Sequence, residues 1–105
     1  PISGGRNSMH SIMEGSIVID LSRMRSVTVD SEKRICTVQG GARVSDLDST
    51  LGEHGLIAVS GINQHLGVVG CILGGGFGYA SRKYGLACDN VLDVDVVLAD
   101  GRLKR

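Results

Sequence analysis

Alternating apolar and polar residues predict β-strands in the first third of the chain. Three segments are rich in β-branched residues and are bounded by turn-forming residues: 16–22 (SIVIDLS), 26–30 (SVTVD) and 34–41 (RICTVQGG). The polar residues between the last two segments predict a hairpin turn. Alternation places Val27 and Val29 on one face of the first hairpin strand, and Ile35 and Thr37 together on its partner.

The periodicity then changes from that of a strand to that of a helix over residues 42–56. Ser45 is the expected N-cap, acidic residues fill the first turn, and Gly55 is placed to end the helix. Apolar residues follow a spacing of three and four positions: Val44, Leu47 and Leu51.

A glycine-rich apolar segment occupies residues 65–76, after a short strand or extended segment at 57–61. A helical turn packed against backbone is one interpretation of this segment. Gly67 and Gly70 argue against a helix because glycine is a poor helix former.

The last segment, 90–104, alternates apolar residues with aspartates and carries Asp100–Gly101, the dipeptide typical of a type I′ hairpin turn. Short strands combined with a few short helices predict an α+β fold with mixed or antiparallel sheets. The chain begins without a lead-in to its first strand and ends as it leaves a turn, so we expect residues 1–105 to be part of a larger domain, truncated at both ends.

Glycine is the unusual feature of the composition, at 16 of 105 residues, about twice the usual share of roughly 7%. The net charge is zero and aromatic residues make up 3%, which gives no support for nucleic-acid binding. No apolar run approaches the roughly 20 residues of a membrane span, and no secretory signal is visible. Three widely spaced cysteines form no pair typical of a zinc site or a disulfide framework.

Two glycine-rich segments, 3–8 and 67–78, suit close approach of the backbone to a ligand. Successive N–H groups of this kind bind anions, and a diphosphate fits that chemistry. Neither segment has the Gly-Lys-Ser/Thr of a Walker A loop or the spacing of a Rossmann fingerprint. The alternative is that these glycines only serve turns and tight packing.

The whole chain resembles the FAD-binding domain of the FAD-linked oxidases, of the vanillyl-alcohol oxidase / p-cresol methylhydroxylase (PCMH) type, in its berberine-bridge-enzyme-like branch. Six motifs carry the resemblance in order and with consistent spacing: GG-x-x-S, IDLS-x-M, V-x-GGA, LGGG-x-G, RKYGL-x-x-DN and ADG. The resemblance implies a domain of two α+β subdomains that hold FAD between them, with a substrate domain outside this chain.

The resemblance also implies where FAD is bound. Residues 3–8 would wrap the diphosphate, 67–78 would line the diphosphate and the flavin edge, and 88–97 would lie beside the adenosine or the flavin ring. The implied cofactor-binding residues are Ser3, Gly4, Gly5, Arg6, Asn7, Ser8, Gly61, His65, Gly67, Val68, Gly70, Cys71, Gly74, Gly75, Gly76, Gly78, Asp89, Asn90 and Val91.

The positions that attach flavin covalently in many members of this family differ here. Arg6 stands where those members have a histidine, and Asn63 stands where the bicovalent members have a cysteine. Cys71 lies eight residues later and is expected to be a small packed residue. The resemblance therefore implies that FAD is bound without a covalent link.

The expected function is the FAD-binding part of an oxidoreductase that oxidises an alcohol, sugar or amine carbon by hydride transfer to flavin, with O2 as the final oxidant. A small-molecule substrate is expected for the whole protein, and no nucleophile–base pair or acidic dyad marks a catalytic residue in this chain. The alternatives are a truncated non-catalytic module, and a subunit whose FAD site is completed by self-association or a partner chain.

Overall fold

The computed structural model describes residues 13–105. Its helices and strands follow in chain order: β1 Val27–Asp30, β2 Ile35–Val38, α1 Val44–Glu53, α2 Val68–Leu73, α3 Ser81–Tyr84, a 3-10 helix Cys88–Asn90, β3 Val96–Val97 and β4 Leu103–Lys104. In the described part of the chain, the strands form two separate two-stranded antiparallel sheets. This architecture confirms the predicted α+β class.

The first hairpin forms where the alternating pattern predicts it. β1 pairs antiparallel with β2, with Val27 opposite Val38 and Val29 opposite Cys36. These four side chains share the half-buried face, so Ile35 and Thr37 lie on the exposed face instead. The pairing register decides this, because a strand turns alternate side chains to opposite faces.

The segment 16–22 does not form the predicted strand. Its last residues make a local turn in which the Asp20 carboxylate accepts the Ser22 N–H at 2.8 Å. Such side-chain bonds to the backbone compete with strand pairing. β-branched composition alone was therefore a misleading signal at this position.

The N-cap of helix α1 lies two residues before the expected one. Arg43 is the N-cap and Ser45 lies inside the helix. The Asp46 carboxylate accepts the Arg43 N–H at 2.8 Å and pairs with the Arg25 guanidinium through two hydrogen bonds. Gly55, with φ of +64°, follows the helix as predicted.

The core lies between α1 and the first hairpin. Val44, Leu47 and Leu51 of α1 are buried as their spacing predicts, and Val68 of α2 completes the cluster. Valines of β1 and β2 pack against it. This small core fixes the start of α2 relative to α1 and so positions the glycine-rich segment.

Residues 64–67 tie the two helices together through backbone hydrogen bonds. The Val44 and Ser45 amides donate to the carbonyls of Leu66 and Gln64 at 2.9 and 3.0 Å, and the Val68 amide donates to the Ala42 carbonyl at 2.9 Å. Extended residues 57–61 precede this connection without pairing in a strand.

The C-terminal hairpin differs from the predicted turn. The Leu98 amide donates to the Arg102 carbonyl, so three residues form the loop, and of these only Gly101 has a positive φ, at +82°. A type I′ turn needs two such residues, whereas one glycine after a type I turn matches the three-residue loop with a bulge. None of the helices in residues 13–105 is long and apolar enough to cross a membrane.

Candidate glycine-lined cofactor site

The segment 67–78 contains α2 and the loop that follows it. Gly67 is the N-cap of α2 and Gly74 is its C-cap. Gly75 and Gly76 have φ of +97° and +69°, a conformation that other residues rarely adopt. The predicted helical turn is therefore present, and consecutive glycines end it.

Two glycines of this region are required by the packing of the chain itself. A Cβ at Gly78 would overlap the carbonyl oxygen of Ser60, and one at Gly76 would lie 2.7 Å from that of Ala87. A Cβ at Gly61 would meet only the end of the Leu66 side chain, which can move. For Gly76 and Gly78 tight packing is a sufficient reason for glycine.

Tight packing does not explain the glycines at positions 70 and 74. Gly70 lies within α2, is exposed, and has no atom within 4 Å of the place where its Cβ would be. Gly74 has a φ of −90° and would make only ordinary contacts, the nearest at 3.6 Å. A glycine inside a helix costs about 1 kcal/mol relative to alanine. The chain therefore carries an open, unfavourable glycine on the exposed side of α2.

The first turn of α2 also has amides without acceptors. Within residues 13–105, the Val69 and Gly70 amides have no hydrogen-bond partner. The matching amides of α1 are all taken, by the carbonyls of Leu66, Gln64 and Arg43. The two helix starts thus differ, because the first amides of α1 are hydrogen-bonded within the chain, whereas α2 presents free donors beside a glycine.

Gly70 and Gly74 border an open cleft of about 410 Å³. Apolar surface predominates, and the side chains of Leu66, Cys71 and Phe77 line it together with Gly61, Gly70 and Gly74. Phe77 is 68% exposed. Backbone donors next to an apolar surface suit a ligand that has both an anionic part and a flat apolar part.

The segment after α3 holds the carbonyl groups of the glycine loop. The Ala87 amide donates to the Gly76 carbonyl at 2.8 Å and the Cys88 amide to the Gly75 carbonyl at 2.9 Å. Ala87 is 3% exposed, so this junction is well packed.

Asp89 and Asn90 bond to the turn that precedes this junction. The Asp89 carboxylate accepts the Leu86 N–H at 2.8 Å. The Asn90 side-chain amide donates to the carbonyls of Tyr84 and Leu86 at 3.0 and 2.8 Å. Val91 is half-buried and its N–H donates to the Cys88 carbonyl.

The other residues expected at the site have different surroundings. Val68 is buried in the core and its amide is already bonded, while His65 is exposed at the edge of the connection 64–67. Cys71 is half-buried between Gly61 and Gly76. Residues 3–8, and with them Ser3, Gly4, Gly5, Arg6, Asn7 and Ser8, lie outside the described residues.

Sequence reasoning missed the side chain of Phe77, which lines the cleft, and the free amide of Val69, the residue before Gly70 in α2. The signal for Val69 was its place in the first turn after the Gly67 N-cap, where amides lack helical partners. For Phe77, the signal was a lone aromatic residue flanked by glycines, with little around it to bury it.

Comparison with known proteins assigns this geometry to one family. The family model described as "FAD binding domain" matches residues 1–105, the entire chain. Among solved structures, 6-hydroxy-D-nicotine oxidase from Arthrobacter nicotinovorans superimposes with a TM-score of 0.94 at 36% identity, over 98% of this chain and 23% of that one.

Two curated relatives extend the comparison. A xylooligosaccharide oxidase of Thermothelomyces thermophilus is 46% identical over 91 residues, covering 86% of this chain and 18% of that protein. An uncharacterized FAD-linked oxidoreductase of Bacillus subtilis is 36% identical over 101 residues, covering 94% of this chain and 22% of its own length. The chain thus spans about a fifth of the length of the relatives it matches.

Proposed function

Because the chain belongs to the FAD binding domain family, we propose that it binds FAD in the cleft beside α2 as part of a FAD-linked oxidoreductase. The observation that carries this assignment to the cleft is Gly70. It is an exposed helical glycine with open space where a side chain would be, next to amides that lack acceptors. A cofactor lying against the backbone accounts for both features.

The residues of the cleft fit the two chemical parts of FAD. The Val69 and Gly70 amides would donate to the diphosphate, and the absence of a Cβ at Gly70 and Gly74 lets the ligand approach the backbone. Phe77 and Leu66 would cover apolar parts of the cofactor. The N-terminal glycine segment 3–8 would supply further contacts to the diphosphate.

The reaction we propose is oxidation of an alcohol, sugar or amine carbon, with O2 reoxidising the cofactor. Bound FAD supplies the hydride acceptor, while the protein binds and orients it. Support comes from relatives that are themselves oxidases of a xylooligosaccharide and of 6-hydroxy-D-nicotine. The substrate domain and the residues that handle substrate are proposed to lie outside residues 1–105.

A matched pair of glycine substitutions tests the site. Gly70→Ala and Gly52→Ala both replace an exposed helical glycine with open space around it, in α2 and α1 respectively. Each should raise the stability of the FAD-free protein by up to about 1 kcal/mol. Only Gly70→Ala should weaken FAD binding, by about tenfold, because its methyl group would meet the ligand.

The measurements are urea unfolding of the FAD-free protein and fluorescence titration with FAD. Equal FAD affinities for wild type, Gly70→Ala and Gly52→Ala would contradict the proposal that FAD binds at this face of α2. Failure of the wild-type protein to bind FAD at all would contradict the proposed function itself.

We further propose that FAD is held without a covalent bond. Arg6 stands at the position where the resemblance implies a histidyl link, and a guanidinium does not form that bond. The guanidinium can instead pair with diphosphate charge. Acid precipitation of the yellow protein should leave the flavin absorbance in the supernatant, and flavin retained in the pellet would contradict the proposal.

A further inference from the structure

We propose that Asp89 and Asn90 are positioning residues for the proposed FAD site, which they hold in shape through the turn 84–86 without touching the cofactor. This inference rests on the proposed function, since the loop they position is the one assigned to FAD. The resemblance implied that both residues contact the cofactor directly, and this inference assigns them a positioning role instead.

One carboxylate oxygen of Asp89 and the side-chain nitrogen of Asn90 bond to the turn, while the other Asp89 oxygen accepts the Cys88 thiol at 3.8 Å. The Asp89 carboxylate accepts the Leu86 N–H at 2.8 Å. The Asn90 side-chain amide donates its two hydrogens to the carbonyls of Tyr84 and Leu86. Together they satisfy both backbone groups of Leu86, which is 43% exposed and belongs to no helix or strand.

Gly85 allows the carboxylate to come this close. Its φ is +80°, and a Cβ there would lie 2.7 Å from the Asp89 carboxylate. The glycine and the aspartate therefore form one unit, in which the left-handed backbone of Gly85 turns the Leu86 N–H toward the acceptor.

The turn passes its geometry directly to the glycine loop. The next two amides along the chain, those of Ala87 and Cys88, hold the Gly76 and Gly75 carbonyls at 2.8 and 2.9 Å. These two glycines have positive φ and no side chains, so the loop has little of its own to fix it. Asp89 and Asn90 are therefore connected through Leu86 and the backbone that follows it to Gly76, which lines the cleft.

The test compares Asp89→Ala, Asp89→Asn, Asn90→Ala and the control Asp30→Ala in FAD titrations. Asp30 lies at the end of β1, away from the proposed site, and its carboxylate accepts the Lys33 N–H at 3.0 Å, a bond over three positions like that of Asp89. Asp89→Ala and Asn90→Ala should each weaken FAD binding about tenfold. Asp30→Ala should leave it unchanged, and Asp89→Asn should retain most of it, because an amide oxygen also accepts the Leu86 N–H.

Hydrogen exchange supplies a readout independent of affinity. In the FAD-free protein, Asp89→Ala should speed exchange of the Ala87 and Cys88 amides relative to wild type and to Asp89→Asn. If Asp89→Ala does not fold, Asn90→Ala provides the same comparison, because it removes two bonds and leaves the carboxylate in place.

Two results would overturn the inference while wild type still binds FAD. Affinities of Asp89→Ala and Asn90→Ala equal to wild type would show that the turn does not position the site. An equal loss in Asp89→Asn and Asp89→Ala, with unchanged exchange at Ala87 and Cys88, would assign the carboxylate to direct contact. Absence of binding by wild type would instead count against the proposed function.

Discussion

At the scale of single residues, the glycines divide by the reason each is needed. Gly76 and Gly78 leave no space for a side chain, whereas Gly70 leaves space that nothing in residues 13–105 fills. Sequence shows only that glycine is abundant, and both kinds look alike in the motif. The distance from each missing Cβ to its nearest neighbour separates structural positions from candidate ligand positions.

Gly78→Ala should therefore destabilise the protein. The added methyl group would overlap the carbonyl oxygen of Ser60, which is backbone and cannot rotate away. We expect a loss of about 2–3 kcal/mol, typical of overpacking, measured as a lower urea midpoint. Gly52→Ala is the control, and a Gly78→Ala protein as stable as that control would contradict the packing at this contact.

At the scale of elements, the start of α1 depends on an ion pair that spans 21 positions of sequence. The Arg25 guanidinium donates to both Asp46 carboxylate oxygens, and one of these oxygens also accepts the Arg43 N–H. The hydrogen bond from Arg25 is the main reason that the pKa of Asp46 lies below its usual value of 3.8. The ionised carboxylate is thus the form that the fold favours.

This lowered pKa predicts how α1 responds to acid. Because the folded pKa is below the unfolded one, the stabilisation is complete above about pH 3.8 and is lost as the pH falls through the folded value. The stability difference between wild type and Asp46→Asn should therefore shrink on acidification. Urea midpoints at pH 7 and pH 3 measure it.

Arg25→Gln provides the matched control for that experiment, because it removes the main cause of the shift and keeps the carboxylate. Arg25→Gln should lack most of the pH-dependent stabilisation that Asp46→Asn also lacks. A gap between wild type and Asp46→Asn that is equal at both pH values would contradict the role of the ion pair.

The elements also show what local sequence predicted and what it missed. The first hairpin and the buried residues Val44, Leu47 and Leu51 follow from period-two and helical spacing, which are local signals. The prediction of Ser45 as N-cap was wrong because the carbonyls of Gln64 and Leu66, about 20 positions away, accept the first amides of α1.

The site shows the same division. Its glycines and the match to a flavin-binding family were visible in the motifs, and the family is confirmed. The bonds of Asp89 and Asn90 to the turn 84–86 were not visible, because a DN pair in sequence does not show which backbone groups it reaches. The bond between Asp89 and the Leu86 N–H also depends on the positive φ of Gly85, which only the structure provides.

At the scale of the whole molecule, apolar side chains remain uncovered. Leu73, Leu92 and Val97 are 83%, 77% and 69% exposed. Large apolar side chains with this much exposure are candidates for burial by further polypeptide. It is consistent with a chain that spans about a fifth of the relatives it matches, and it supports the proposal that further segments complete the protein.

FAD bound at the open face of Gly70, as proposed, would couple the lifetime of the molecule to its cofactor. Alanine in place of Gly70 would make the ligand-free protein more stable by about 1 kcal/mol. A ligand that binds only the folded state returns stability as its concentration rises above Kd. Degradation that follows the unfolded population would then be faster when flavin is scarce. We therefore expect the abundance of this protein to follow the supply of FAD.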